Sequence, residues 1–228
     1  MLFIQGVIFR VIVGKCCCLC ATCSWVWFVQ AAKHFESVGC TVKRVSFHQL
    51  RKSFAIWSSL MRTSGNDTFC SLLANGPPNL SINPFYELLL WLVGCGRHTL
   101  PAISLGIGEK IHSTPQEEAQ LRRLRDALRD DMEECLAEDG VFLYPTLPLP
   151  APFHNQPVLL MFDFAYTAIF NVMGLPATAV PMGLAPDEGV PVGIQAIAGR
   201  YQDRLTLAVA LALEEAFGGW VPPFPLSK

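Results

Sequence analysis

The sequence predicts an α/β protein, a partial mixed sheet with flanking helices. From residue 30 onward, short apolar runs of strand length alternate with longer stretches of helical periodicity. Two of those runs, Ala177 to Met182 and Val192 to Ala198, are separated only by a turn at Pro186-Asp187-Glu188-Gly189, which makes them antiparallel and the sheet mixed. With 228 residues and 51% hydrophobic content, the chain has enough apolar side chains for one domain with a sizeable core.

Composition divides the chain in two, an apolar Cys-rich segment over residues 1–29 and a single unit over 30–228. Between Leu2 and Val29 the charged side chains are Arg10 and Lys15 alone. About a dozen strongly apolar residues contribute roughly −4 to −8 kcal/mol to membrane insertion, and the two cations return about +5 to +7. These terms cancel, so the segment reads either as a membrane anchor or as a non-native start to the chain.

Val29 to Val38 reads as a helix closed by Gly39, and Cys40 to Phe47 as a short strand. His48 to Met61 sets Leu50, Phe54, Trp57, Leu60 and Met61 at helical spacing before a loop at residues 63–67. Asn83-Pro84 supplies an N-cap and a first-turn proline for a helix over Phe85 to Val93; Gly94-Cys95-Gly96 breaks it, and Leu100 opens another. The result is an apolar helical hairpin with Arg97 and His98 at its tip, read either as a buried core pair or as a surface cap facing a membrane. Thr114-Pro115-Gln116-Glu117 is a capping box, after which Leu121, Leu124, Leu128, Met132, Cys135 and Leu136 mark one helix face. That helix stops at Asp139-Gly140. Val141 to Tyr144 follows as a buried strand running into the proline-rich Pro145 to Pro152, and Phe162 to Met173 as a helix; Asp203 to Phe217 closes the chain after the hairpin strands.

Charge excludes one class of partner. The net charge is −2, and 15 of the 36 charged residues fall between Glu109 and Asp139 with both signs mixed, so no basic surface for nucleic acid arises. No cofactor is expected, because no phosphate-binding or metal-binding motif occurs. Among the nine cysteines, Cys16-Cys17-Cys18-Leu19-Cys20 and Cys23 cluster, but no second ligand pair stands at zinc spacing; palmitoylation beside an apolar segment, or no role at all, are the remaining readings. Free cysteines suit a reducing, intracellular location. Ser58, Ser59, Ser64, Ser71 and Ser104 lie outside any glycine-rich turn, as do Lys33, Lys43, Lys52 and Lys110, and a serine without an adjacent base is inert. No catalytic residue is assigned.

Four blocks in order resemble the C-terminal half of amidase-signature proteins: Gly140 to Pro152, Phe164 to Pro181, Gly189 to Gly199 and Tyr201 to Gly219. Within that family, Asp139 to Pro145, the hairpin at 84–107 and Phe217-Gly218-Gly219-Trp220-Val221 are similar to vertebrate fatty-acid amide hydrolases of type 2. The resemblance implies a serine amidase of lipid amides, in which a Ser-Ser-Lys set cleaves the amide and a glycine-rich loop meets the oxyanion. No Gly-Gly-Ser-Ser-Gly-Gly run occurs in this chain, so residues 30–228 read as a truncated amidase-like domain, inactive alone. The competing expectation is a non-enzymatic, membrane-associated interaction protein. By resemblance, Thr167 and Phe170 line an acyl channel one helical turn apart, and Thr146 ends a strand beside that pocket; from the residues alone, Phe170 and Ile169 on an apolar helix read as core. The implied partners are a lipid amide, a membrane surface met through 84–107 and through 2–29, and a dimer with a homologue.

Overall fold

Five strands, β1 (Arg10–Gly14), β2 (Thr41–Val45), β3 (Gly140–Pro145), β4 (Ala177–Leu184) and β5 (Pro191–Ala198), form one mixed sheet in the order β2-β1-β3-β5-β4. The computed structural model describes residues 10–14, 22–63, 68–77, 80–110, 114–158, 160–185, 189–220 and 222. Strand β1 runs parallel to both β2 and β3, whereas β5 is antiparallel to β3 and to β4. The expected hairpin of β4 and β5 is present, with a register shift between Pro181 and Gly183. β1 itself has no counterpart in the sequence reading: five residues inside a longer apolar run give no period to detect.

Helix α1 (Thr22–Ser37) crosses between β1 and β2 and begins two turns earlier than its sequence signals, running without a break through Val29-Gln30. Among the described residues no helix is long and apolar enough to cross a membrane. The side chains of the Cys16–Cys23 cluster, residues 64–67 of the expected loop and 186–188 of the expected turn lie outside the described residues.

Two cores flank the sheet because side chains alternate along each strand. Val141 and Leu143 of β3 face α1 and α8 (Asp203–Phe217), joining Phe28, Phe35, Leu205, Val209 and Leu213. Phe142 and Tyr144 face the other way, toward α2 (Ser53–Thr63), α6 (Pro115–Leu136) and α7 (Ala165–Met173). The expected stripe of α6 buries Leu128, Met132 and Leu136, with Leu121, Leu124 and Cys135 packed at its edge. Its capping box forms: the Thr114 hydroxyl accepts from Glu117 N–H at 3.2 Å while Thr114 N–H donates to the Glu117 carboxylate at 2.8 Å. At the other end Gly140 turns the chain into β3 where any Cβ would collide with the Leu136 backbone.

Three differences are physical in origin. His48–Lys52 is a 3-10 turn that buries Leu50 before α2 begins. α7 starts at Ala165, because Leu160 to Phe164 form turns that place Phe162 and Phe164 against Phe54 and Trp57 at ring separations of 4.6 and 4.7 Å. A short helix, α3 (Phe69–Ala74), sits beneath α4 (Pro84–Leu92) and α5 (Leu100–Lys110), with Thr68 as its N-cap.

The hairpin of α4 and α5 is not a buried core pair. Phe85, Tyr86, Leu89, Trp91, Leu92 and Val93 are all exposed, whereas Glu87 is buried. Helix α4 thus carries its acid inward and Phe85, Tyr86, Leu89, Trp91 and Leu92 outward, with Leu88 and Leu90 half-buried.

Candidate functional site

The C-terminal end of β3 delivers Tyr144, Pro145 and Thr146 to one rim of the sheet, next to the start of β5. Gln195, a lone polar side chain in an otherwise apolar strand, fixes this rim: its Nε2 donates to the carbonyls of Pro145 at 2.9 Å and Tyr166 at 3.0 Å. One buried amide therefore ties β3, β5 and α7 together. Tyr144 stacks on Tyr166 with centroids 5.4 Å apart and meets Phe170 edge-on at 5.7 Å, while Phe142 continues the aromatic wall behind it.

Beyond this wall a cavity of about 240 Å³ lies between Thr146, Leu147, Leu149, Ala151, Val192 and Gly193. Its surroundings are apolar except at Thr146, whose Oγ1 is buried without a hydrogen-bond partner. A larger and more polar hollow of about 540 Å³ occupies the opposite rim, between Asn171, Gly174, Arg200, Tyr201 and Asp203.

The three residues expected to bind substrate occupy different settings. Thr146 lines the smaller cavity. Phe170 is fully buried in the core. Thr167 is half-buried and donates its hydroxyl to the Phe164 carbonyl at 2.9 Å. Neither Thr167 nor Phe170 is among the residues lining the Thr146 cavity. Gln195 and Tyr166 were not singled out in the sequence; a Gln among Ile194, Ala196 and Ile197 was the available signal, since a polar side chain inside a strand core needs a partner.

The serines weighed as nucleophiles have other duties. Ser58, Ser59, Ser71 and Ser104 donate to the carbonyls of Ala55, Ile56, Thr68 and Pro101, each three residues earlier. Each hydroxyl thus has a backbone acceptor within its own helix, and Ser104 Oγ also lies 3.1 Å from Met161 Sδ. Among the described residues no group of three His, Cys, Asp or Glu converges on a metal position.

Among the described residues five titratable groups are displaced by their settings, Cys40 upward by burial and Glu117 downward by the hydrogen bonds from Thr114 among them. Burial, with the Glu109 carboxylate alongside, pushes the Cys70 thiol up to about 11. Burial alone would raise Glu109, but hydrogen bonds from Cys70 and Phe69, with Lys110 nearby, hold its carboxyl below the usual range. Asp163, in the aromatic turn before α7, is pushed up by desolvation.

Comparison with known proteins places these features in context. The model of the amidase family matches residues 27–207. The chain is 43% identical over 198 residues to fatty-acid amide hydrolase 2-B of Danio rerio, covering 85% of this chain and 37% of that protein. To fatty-acid amide hydrolase 2 of Homo sapiens it is 39% identical over 197 residues, covering 83% and 36%. It therefore spans little more than a third of the length of these curated relatives. The fold is similar to the crystal structure of a bacterial aryl acylamidase of the amidase-signature enzymes, with a TM-score of 0.62 at 18% identity, over 93% of this chain and 44% of that one.

Proposed function

The chain belongs to the amidase family, and from that premise we propose that it forms the acyl-binding, membrane-facing part of a fatty-acid amide hydrolase-like serine amidase. The observation that carries this reading is the cavity beside Thr146, whose largely apolar walls suit an acyl chain. Thr146 stands at this cavity, and the strand end that delivers it is stiffened by Tyr144 packed on Tyr166 and Phe170 and by the Gln195 hydrogen bond to the Pro145 carbonyl. Thr167 stands on the adjoining helix, one turn before Phe170.

Cleavage is another matter. Bond breaking requires a nucleophile, a base and oxyanion donors together, and the 228 residues contain no serine in a glycine-rich run. Alone, the chain holds a lipid amide without hydrolysing it.

The exposed apolar face of α4 supports contact with a membrane surface, from which such a substrate would enter. Arg97 and Lys110 are exposed on this hairpin while Glu87 and Glu109 are turned inward, leaving cations beside the apolar residues. That face equally favours a second reading, a non-enzymatic membrane-associated interaction protein. Equilibrium dialysis against a radiolabelled long-chain fatty amide separates the two. The first reading expects saturable binding that Ala151→Trp, at the cavity mouth, reduces at least about tenfold; absence of saturable binding rejects it and leaves the second.

A further inference from the structure

Strand β2 ends the sheet, and on the side away from β1 it has no strand partner among the described residues. Alternate residues of Thr41–Val45 therefore turn backbone N–H and C=O groups outward, a row able to pair with another extended chain. Val42 packs into the core on the α1 side of the sheet, and Val45 into the core on the α6 side. By alternation Arg44 shares the first face and Lys43 the second, and both are exposed. The turn His48–Lys52, anchored on the α6 side by buried Leu50, adds exposed Arg51 and Lys52.

This edge carries charge of one sign. Residues 37–66 hold five Lys or Arg and no acid. Among the described residues none of Lys43, Arg44, Arg51 and Lys52 is in an ion pair. Asp131 of α6, which meets this turn, accepts from Gln49 at 2.7 Å. A single lysine on an edge strand commonly serves to keep other strands away. Here the cations stand on both faces and continue onto the following turn, so they discriminate between partners. A second copy of β2 would bring like charges together, whereas an acidic strand would neutralise them.

We propose that β2 docks an extended acidic segment of a partner protein as an added strand of the sheet, with main-chain hydrogen bonds supplying the pairing and Lys43, Arg44, Arg51 and Lys52 the charge selection. Lys43 and Arg44 are consecutive and point to opposite faces, so the matching segment carries acids at consecutive positions, one on each face. The five residues of β2 span about 17 Å, a length that a short peptide covers. A phosphate-bearing surface would answer the charge but leave the main-chain row unpaired. This inference is independent of amide binding and of the membrane face on α4.

Fluorescence anisotropy of a labelled peptide of valines and paired glutamates, titrated with the full chain, tests it directly. Saturable binding is expected, and the double variant Lys43→Glu, Arg44→Glu weakens it at least about tenfold, because attraction becomes repulsion at both faces. Circular dichroism checks that the variant, changed only at exposed positions, stays folded. The same peptide N-methylated on every second residue keeps its charge and loses the N–H donors of one edge; tested in both phases, it binds at least about tenfold more weakly in one of them. Absence of saturable binding overturns the proposal, as does binding that the charge reversals leave intact. Binding that survives N-methylation in both phases rests on charge alone and overturns it too. So does adsorption to phosphatidylserine vesicles that the reversals abolish while the peptide fails to bind, since that assigns the edge to a lipid surface.

Discussion

Gln195 shows how much one buried side chain contributes to the candidate site. Its two hydrogen bonds are each worth about 0.5–1.5 kcal/mol, so Gln195→Leu is expected to lower the unfolding free energy by about 1–3 kcal/mol in urea titrations. A loss below about 0.5 kcal/mol would mean the amide does not hold the rim. Asp163 makes a prediction in pH. Its carboxyl is pushed up in the folded protein, so the folded chain keeps a proton that the unfolded chain releases; that contribution to stability is present at acid pH and is lost as pH rises through the shifted value. Asp163→Asn therefore gains stability relative to the wild type between about pH 3 and 7, and equal melting shifts at both ends would contradict this. At this scale the sequence was only partly legible. Thr146 lay in a recognisable block and Phe170 sat on an apolar helix that reads as core, but the bridging by Gln195 depends on which strand face and which helix side meet, and one-dimensional spacing does not contain that.

Elements were legible where local chemistry decides them. The capping box of α6, its Leu128-Met132-Leu136 stripe and the Asn83-Pro84 start of α4 all depend on residues within one or two turns. β1 and α3 were not, since β1 exists only by pairing with β2 and β3, and α3 is fixed by Glu109 on α5, 39 and 40 residues away. The cap of α3, α4 and α5 is accordingly held by two acids. Glu87 Oε1 lies 3.0 Å from His98 Nδ1, and His98 Nε2 lies 3.4 Å from the Leu73 carbonyl, so His98 packs inward rather than standing at the hairpin tip. His98→Ala leaves a buried carboxylate unpaired and is expected to cost about 3 kcal/mol, read as faster amide exchange across α3 to α5. Glu109→Gln weakens the same cap by about 1–2 kcal/mol. Because the Glu109 carboxyl is held low, that loss is present at neutral pH and fades as pH falls through its folded value; a constant difference from pH 7 down to acid would contradict it. Cysteine labelling gives a second test. Cys95 is exposed whereas Cys70 is buried with its thiol pushed up to about 11, so iodoacetamide modifies Cys95 long before Cys70 in the folded chain.

For the whole molecule, the mixed sheet between two helical layers follows from the alternation of strands and helices, and the family from the blocks between Gly140 and Gly219. What alternation could not give is strand order: β1 and β5 flank β3 although one precedes it and the other follows the β4 hairpin, an outcome of non-local pairing. The architecture gathers a largely apolar cavity, an outward apolar hairpin and a buried aromatic wall, while Ser58, Ser59, Ser71 and Ser104 each donate a hydrogen bond to a backbone carbonyl. In the proposed function such an assembly binds and presents a lipid amide without attacking it. The most direct measurement combines a fluorophosphonate probe with a long-chain fatty amide, applied to the purified chain and read by intact mass and by released fatty acid. No covalent adduct and no acid above the buffer rate are expected. A serine carrying the phosphonyl group, together with turnover that the probe abolishes, would contradict the account.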